Sequence, residues 1–430
     1  MKKLLLLLLC IPLIGFGQQT YVPDDNFEQA LITLGYDNFL DNYVLTDNIN
    51  TIQYLQVGGQ NISDMTGIED FIALKWLDCD QNQISSLDVS NNIALQHLGC
   101  GCSCSGGNLL TSLDVSQNIN LEWLQCQVNN LTSLDVSNNL LLEYLDIGWN
   151  PIITIDLSNN TLLKHFGLYN YPLSTLTSID VTNNPNLEYL NVGNNQITSI
   201  DLTNNNKIKY LATADNILTS LDVTNMTSLE VLLCGNSWVT NSGGQITSLD
   251  LTNNPLLNRL HCEGNQISGV FDLSNNPLIT WLTCENNEIE VLDISNLSSL
   301  THMTCNNNNL IELNMSNGNN VNFVTSYPAN PSASPALDLR NNPNLSCINV
   351  DDPTYSINNW IEIDGFYIDP QHYYSNNCLG STAINEGQIY DRKEIIRITD
   401  ILGRETKETK NEPLFYIYDD GTVEKRIIIE

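Results

Sequence analysis

The chain has 430 residues and a formal net charge of −33, because 49 acidic residues face only 16 lysine and arginine residues. A surface this acidic repels a phosphate backbone, so nucleic acid is excluded as an expected partner. Hydrophobic residues make up 42% of the sequence. That content excludes an acidic disordered chain, and the length allows two or three domains or one long repeat array.

Residues 1–17 have the features of a signal peptide. Lys2 and Lys3 precede an apolar run from Leu4 to Ile14, and Gly15-Phe16-Gly17 offers a small-x-small cleavage site. The apolar run is too short to span a bilayer. We therefore expect a protein that is exported from the cytoplasm, with no transmembrane segment in the mature chain.

Residues 18–51 are predicted to form a cap on the repeat array that follows. Asp24 is a helix N-cap candidate, and Phe27 and Leu31 form an apolar pair at helical spacing. A short capping helix is expected here, since a repeat array exposes its apolar interior at both ends unless another element covers it.

Residues 52–343 contain a repeat with a basic step of about 21 residues, longer where segments are inserted. A Leu-Asp or Ile-Asp pair recurs, as at Leu113-Asp114, Leu134-Asp135 and Ile155-Asp156, behind L-x-x-L-x-L spacing. The pattern predicts a β-rich leucine-rich repeat solenoid. Each coil has two halves of alternating apolar and polar residues, which predict two short parallel strands per coil.

Asparagine recurs in two columns of the repeat. Turned inward, its amide can pair with backbone groups that the turns leave open in its own coil and the adjacent one. The first column is Asn82, Asn129, Asn150, Asn170, Asn195, Asn216, Asn265, Asn287 and Asn308, and the second is Asn92, Asn118, Asn139, Asn160, Asn184, Asn205, Asn254 and Asn276.

Cysteine fills the last apolar position of the first half-coil in seven coils. Ile147, Leu168 and Val192 fill the same position elsewhere, which indicates a small buried hydrophobe, although stacked thiols could also form disulfides. The seven are Cys79, Cys100, Cys126, Cys234, Cys262, Cys284 and Cys305. Cys102 and Cys104 lie in an insertion near His97; a metal site is an alternative there, but the spacing matches no standard zinc pattern.

An aromatic or imidazole residue precedes the second leucine of most coils, where strand alternation turns it outward. Such a stripe could bind a ligand, since Trp and Tyr are favoured anchors, or its rings could only stack on one another. The candidate ligand-binding residues are Tyr54, Trp76, Trp123, Tyr144, Tyr189, Tyr210, Trp281 and Phe323. His97, His165, Val231, Arg259 and His302 fill the remaining positions.

The aspartates of the second half-coil form a further column, flanked by serine or threonine. Stacked carboxylates repel one another. Pairing with the adjacent hydroxyls would offset this repulsion, and a bound calcium ion is the alternative.

Residues 344–378 break the period and are rich in aromatic residues, as expected of a C-terminal cap that a disulfide between Cys347 and Cys378 would clamp. Residues 379–390 are expected to be a linker. Residues 391–430 predict a small β module, with strands at 395–398 and 414–418 and a hairpin turn at Asp420-Gly421.

Residues 52–345 resemble internalin-like bacterial leucine-rich repeat proteins, including Met65-Thr66-Gly67-Ile68-Glu69 before the array. The tail ITDILGRETKETKNEPLFYIYDDGTVEKRIIIE resembles the C-terminal sorting signal of the type IX secretion system of Bacteroidetes. The tail resemblance implies that residues 391–430 address the protein to that machinery, for release or attachment at the outer cell surface. The array resemblance implies binding, usually of proteins.

We therefore expect a secreted or cell-surface recognition protein that binds a protein or glycan through the aromatic stripe. The alternative is a structural spacer of the cell envelope with no specific ligand. We expect no enzyme, cofactor or metal, because the G-x-S-x-G, H-E-x-x-H and phosphate-loop motifs do not occur in the sequence.

Overall fold

The computed structural model describes residues 17–102, 106–169, 176–236, 244–323, 336–361, 365–378, 395–399, 404, 406, 413–418 and 423–427. Residues 1–16 of the predicted signal peptide, the predicted linker and the turn at Asp420-Gly421 lie outside these residues. The chain forms two compact units, Met1–Asn376 and Asn377–Glu430.

The first unit begins with a strand pair and two short helices. Strand β1 (Gln19–Tyr21) pairs antiparallel with β2 (Tyr43–Leu45), and helix α2 (Thr46–Ile49) follows. Helix α1 (Asp25–Thr33) begins after Asp24, whose carboxylate accepts hydrogen bonds from two backbone N–H groups of the first turn. Its Phe27 and Leu31 are fully buried against the first coils. The predicted capping helix is confirmed.

The repeat array forms one long parallel sheet of fourteen short strands. The strands are β3 (Tyr54–Gln56), β4 (Trp76–Asp78), β5 (His97–Gly99), β6 (Trp123–Gln125), β7 (Tyr144–Asp146), β8 (His165–Gly167), β9 (Tyr189–Asn191), β10 (Tyr210–Ala212), β11 (Val231–Leu233), β12 (Arg259–His261), β14 (Trp281–Thr283), β16 (His302–Thr304), β18 (Leu337–Asp338) and β20 (Phe366–Tyr367). The middle residue of the three-residue strands is fully buried, so successive coils share one apolar interior, as a leucine-rich repeat solenoid requires.

The second strand of each coil is regular only in the C-terminal part of the array. There it forms a five-stranded parallel sheet. Its strands are β13 (Ser268–Phe271), β15 (Glu288–Asp293), β17 (Glu312–Asn314), β19 (Cys347–Asn349) and β21 (Tyr373–Ser375). Strand β15 carries an extra residue, Glu290, opposite the step from Gly269 to Val270 of β13, and the φ of +70° at Gly269 suits glycine.

In the earlier described coils the predicted second strand is not formed as a regular strand. The pairing described there is one isolated bridge between Asp88 and Asp114. Ser112 and Ser133 precede the Leu-Asp pair in these coils, whereas Val270 and Val291 fill that position in β13 and β15, the first two strands of the regular sheet. Serine favours local hydrogen bonds over a ladder, and β-branched valine favours a strand.

The described residues of both asparagine columns are buried. The first column bonds to backbone groups of its own and the adjacent coils, whereas the second donates only to carbonyls of the preceding coil. In the first column, Asn129 Nδ2 donates to the carbonyls of Cys126 in its own coil and Cys100 in the preceding coil, both at 3.1 Å. Its Oδ1 accepts the Leu110 N–H at 3.0 Å. In the second column, Asn139 Nδ2 donates to Val115 and Asn118 carbonyls. Asn170 lies outside the described residues.

The seven cysteines of the repeat are buried and free. They form two runs on adjacent coils, Cys79 to Cys126 and Cys234 to Cys305, within the apolar interior. Burial raises the pKa of the Cys262 and Cys284 thiols well above the usual value, so these thiols stay protonated and behave as small apolar side chains.

Both sheets continue past residue 343, because β19, β20 and β21 lie in the segment that the sequence assigns to a cap. Helix α3 (Pro353–Asn359) follows β19, with Asp352 as its N-cap. Trp360 then packs its ring against Phe323, Phe366 and Tyr374, with ring centroids 5.5 to 5.9 Å apart. This aromatic cluster covers the apolar interior at the end of the array.

The second unit contains an antiparallel three-stranded sheet. Strand β23 (Pro413–Tyr418) lies between β22 (Ile395–Thr399) and β24 (Val423–Ile427). Leu414 is buried and packs against Ile398. The predicted small β module is confirmed, and its role as a secretion address stays a prediction.

Candidate functional site

Most of the outward residues that begin the strands of the long sheet are aromatic or imidazole and form one row. We call it the aromatic row and define it as Tyr54, Trp76, His97, Trp123, Tyr144, His165, Tyr189, Tyr210, Trp281 and His302. Each of these residues lies beside its counterpart on the neighbouring strand, as Trp123 does beside Tyr144. Most of their side chains are half-buried, while Tyr54 is 66% exposed and Trp76 41% exposed. The sequence therefore placed these ten residues on the same outward face.

Seven consecutive rings of the row stack face to face. Between Trp76 and Tyr210 the centroids of neighbouring rings are 3.4, 5.3, 3.4, 4.0, 4.0 and 4.4 Å apart, with interplanar angles of 20° or less. Such stacking stabilises the row beyond the area it buries. It also covers most ring faces, so the surface that remains for a ligand consists mainly of ring edges.

The row is interrupted at Val231 and Arg259 and then resumes. The Arg259 guanidinium carbon lies 5.0 Å from the ring centroid of Trp281, a cation–π contact. Trp281 stacks on His302 at 4.3 Å. The histidines of the row are uncharged near neutral pH, because burial lowers the pKa of His97 and His165 to about 4.

Phe323 does not belong to the row, contrary to the prediction. The strand that follows β16 is β18, where Leu337 pairs with Met303, so Ala336 occupies the position beside His302. Phe323 is only 5% exposed and packs on the edge of Trp360 in the interior. The sequence between β16 and β18 is longer than the basic step of the repeat, so a fixed period predicts Phe323 instead of Ala336 at this position.

Beside the row lie half-buried or buried acidic residues that the sequence did not single out, among them Asp78, Asp80, Asp146, Glu263 and Glu285. Burial raises the pKa of Asp146 to about 6, and burial together with the Asp78 charge raises that of Asp80 to about 7. For Asp146 the sequence does contain a signal of burial, which is the glycine at the same position of the next coil. Gly167 lies beside Asp146 and has no side chain to compete for the space.

Glu263 and Glu285 lie on adjacent coils and are held by hydroxyl groups of the sheet. Thr283 Oγ1 donates to Glu263 Oε2 at 2.7 Å, and Thr304 Oγ1 donates to Glu285 Oε2. Burial raises the pKa of both carboxyls, that of Glu285 to about 7. The long sheet therefore carries protonatable groups at both its N-terminal and C-terminal parts.

The aspartate column of the second half-coil has a structural role. Asp135 Oδ1 accepts the Ser137 backbone N–H at 2.9 Å, and Asp180 Oδ1 accepts both the N–H and the hydroxyl of Thr182. Hydrogen bonds to Ser137 lower the pKa of Asp135. The predicted hydroxyl pairing is confirmed in such coils. In the part of the chain that the structure describes, no group of three or more His, Cys, Asp or Glu side chains is arranged to hold a metal ion.

Cys347 and Cys378 are both disulfide-bonded, and so is Cys102. Pairing of Cys347 with Cys378 stays a prediction. Among the described residues, no helix combines the length and the apolar character needed to cross a membrane.

No family model and no curated protein matches the chain. It is similar to the solved functional domain of InlJ from Listeria monocytogenes, a domain that includes a cysteine ladder. The identity is 23% and the TM-score is 0.54, and the match covers 96% of this chain and 99% of that chain. It is also similar to an internalin (InlF) of the same organism, with 22% identity and a TM-score of 0.51. That match covers 68% of this chain and 89% of the internalin.

The chain is similar to a leucine-rich repeat protein of Leptospira interrogans as well, with 18% identity and a TM-score of 0.55. That match covers 77% of this chain and 85% of the Leptospira protein. Identities this low establish the fold alone. Together with the long parallel sheet and the inward Asn and Cys columns, they show that the chain is a leucine-rich repeat solenoid.

Proposed function

We propose that this protein is a secreted or cell-surface recognition protein that binds a protein ligand across the aromatic row. The observation that carries the proposal is the row itself, aligned on the outer face of a fourteen-stranded sheet and still partly exposed. Exposed aromatic surface gathered on one face tends to mark a binding surface, and Trp, Tyr and Arg are the residues most enriched among binding hot spots.

Ring stacking favours a protein ligand over a glycan. A sugar stacks on the face of an aromatic ring, and between Trp76 and Tyr210 neighbouring rings already cover those faces. Ring edges flanked by charged side chains suit a polypeptide, because protein interfaces combine an apolar centre with a polar rim. Lys164 and Lys209 supply such a rim, paired with Glu143 and Glu188 at 2.7 Å.

Location outside the cytoplasm is part of the proposal. It is supported by the signal-peptide pattern of residues 1–17 and by the resemblance of residues 391–430 to a type IX sorting signal. The internalin and InlJ folds are compatible with this setting.

A structural spacer is the second candidate, and the ring stacking is the observation that favours it. Seven stacked rings would stiffen the sheet whether or not a ligand exists. Partial exposure and the cation–π contact of Arg259 give the recognition function the greater support.

The test is a protein and glycan array probed with the full chain. Gln125→Arg places a long cationic side chain on the row face and removes no ring, since Gln125 ends strand β6 beside Trp123. Asn138→Arg, at an exposed position after the aspartate column, is the matched control. We expect a protein ligand whose binding falls at least about tenfold for Gln125→Arg and is unchanged for Asn138→Arg. Absence of any ligand, or equal binding by both variants, would favour the spacer.

A further inference from the structure

An open cavity lies at the N-terminal end of the long sheet, beyond the last residues of β3 and β4. Its volume is about 460 Å³, and it is lined mainly by Gln56, Gln60, Asp78, Asp80 and Gln81. The strands that lead into it begin with Tyr54 and Trp76, the two most exposed rings of the aromatic row. The lining therefore combines amides and carboxyl groups next to accessible aromatic surface.

The two aspartates of this cavity have no cationic partner among the described residues, where the three ion pairs are those of Lys164, Lys209 and Arg340. Asp78 Oδ1 accepts the Asp80 N–H at 3.1 Å, and its Oδ2 accepts Gln56 Nε2 at 3.3 Å. Both partners are neutral groups. The mutual repulsion of Asp78 and Asp80 is therefore not offset by a positive charge of this chain, and it contributes to the raised pKa of Asp80.

The other end of the same sheet shows how such an aspartate is neutralised. Asp338 occupies the position in β18 that Asp78 occupies in β4, and its Oδ1 accepts the Arg340 N–H at 3.1 Å, the same local bond. The Arg340 guanidinium also donates two hydrogen bonds to that carboxylate, from Nε to Oδ1 at 3.0 Å and from Nη2 to Oδ2 at 2.6 Å. Its carbon also lies 4.4 Å from the Tyr367 ring centroid.

At Asp78 the corresponding arginine is missing. Asp80 stands where Arg340 stands two residues after Asp338, so the chain places a second carboxyl group at the position that holds the guanidinium elsewhere. The carboxylate is retained, but Gly99 takes the place that Tyr367 has beside Asp338. The accessible rings at this end are Trp76 and Tyr54, which begin the two strands. A guanidinium that enters from outside would meet a carboxylate at the same strand position as the one that Arg340 binds, with an exposed ring on the same strand.

We infer that this cavity receives an arginine side chain of the partner protein, with its guanidinium against the Asp78 carboxylate and its plane against Trp76 or Tyr54. The inference rests on the proposed recognition function. Arginine fits better than lysine, because only a planar guanidinium forms two parallel bonds to a carboxylate and also stacks on a ring. Two acidic groups beside each other favour a cation over an uncharged saccharide.

The test uses ligand-observed saturation-transfer NMR with the full chain and N-acetyl-arginine amide as the probe. N-acetyl-citrulline amide is an uncharged probe of nearly the same shape. N-acetyl-lysine amide carries a positive charge but has no planar guanidinium. Maltotriose represents a saccharide. Asp78→Asn is the test variant. Asn191 fills the same strand position and keeps the same bond, to Gly193 N–H at 3.1 Å, so the variant is expected to fold. Asp114→Asn, an exposed aspartate on the other half-coil, is the control.

We expect the arginine probe to bind in the millimolar range, at least about fivefold more tightly than the citrulline and lysine probes. Asp78→Asn should weaken it about tenfold and Asp114→Asn should leave it unchanged. Equal binding of arginine and citrulline, no binding of arginine, no effect of Asp78→Asn, or preference for maltotriose would overturn the inference. The proposed function is tested separately and fails if Gln125→Arg does not alter binding of the array ligand. If Gln125→Arg weakens binding of that ligand but Asp78→Asn does not, the arginine site alone is refuted.

Discussion

The Asp146 carboxylate lies over Gly167, its register partner on the next strand. A Cβ atom at residue 167 would come within 3.0 Å of Asp146 Oδ1, so the buried carboxyl group occupies space that only a glycine leaves open. Asp146 is 6% exposed, and its one hydrogen bond among the described contacts accepts the Gly148 N–H at 3.1 Å. The charged form is therefore poorly solvated, which explains the raised pKa.

Asp146→Asn should stabilise the protein at neutral pH. The amide can keep the bond from Gly148 N–H, as Asn191 does with Gly193 N–H, and it removes a desolvated charge. The pKa of Asp146 rises from 3.8 to about 6 on folding, which corresponds to about 1 to 3 kcal/mol of unfolding free energy. Because the folded-state pKa is raised, the gain should be full above about pH 6 and vanish toward pH 4. Denaturant unfolding at pH 7.5 and pH 4.5 measures it.

Asp135→Asn is the opposite case and serves as the control. The pKa of Asp135 is lowered by its hydrogen bonds to Ser137, so this exposed variant should gain no stability at neutral pH. Equal effects of the two substitutions, or a gain for Asp146→Asn that is as large at pH 4.5 as at pH 7.5, would show that Asp146 does not titrate as described.

Asn150→Ala should destabilise the array strongly. Asn150 Nδ2 donates to the Cys126 and Ile147 carbonyls, and its Oδ1 accepts the Leu131 N–H at 2.9 Å. Alanine leaves these backbone groups buried and unpaired, at a cost of about 3 kcal/mol or more. Asn138→Ala removes one exposed bond of 3.4 Å to the Ser116 carbonyl and should change the stability by less than about 0.5 kcal/mol. Similar denaturation midpoints for the two variants would refute the backbone-bridging role.

Cys284→Val should be tolerated, and Cys284→Ser should not. The position is an apolar slot within the interior, and Val192 fills the equivalent slot of another coil. We expect valine to change the unfolding free energy by less than about 1.5 kcal/mol and serine to lower it by about 1 to 3 kcal/mol, because a buried hydroxyl loses its hydration. Calorimetry compares both with the parent protein, and a better tolerance of serine would indicate a polar role for the thiol.

Trp123→Ala should lower stability even without a ligand. The ring stacks between His97 and Tyr144, with centroids 5.3 and 3.4 Å away, so truncation exposes two further rings at a cost of about 2 kcal/mol. Ile119→Ala, at a residue that is 57% exposed, should leave the melting temperature nearly unchanged. An unchanged melting temperature for Trp123→Ala would argue against the stacked row.

The repeat period was sufficient to predict which residues face inward. Cys126 and Asn129 recur at fixed offsets from the leucines, and a solenoid allows only one side for each offset. The same offsets also predicted the outward residues of the coils from Tyr54 to His302. Alternation within a strand fixes the face of each of these residues.

The remaining features depend on neighbours that are distant in sequence. Phe323 follows the period, yet a lengthened coil turns it inward toward Trp360. The burial of Asp146 depends on the glycine of the next coil, and the stacking of Trp123 on Tyr144 depends on rotamers that no pattern specifies. Cysteine in the repeat did not reveal whether the thiols are oxidised, since stacking places them close enough for either state.

Thiol alkylation of the native chain, followed by mass spectrometry, tests the inward register of the coils most directly. If the solenoid is correct, the seven cysteines from Cys79 to Cys305 that are buried and free will resist iodoacetamide until denaturant unfolds the array, and all seven will then react. Oxidation of Trp76, which is 41% exposed, should proceed in the native protein. Rapid alkylation of those thiols under native conditions would contradict the account.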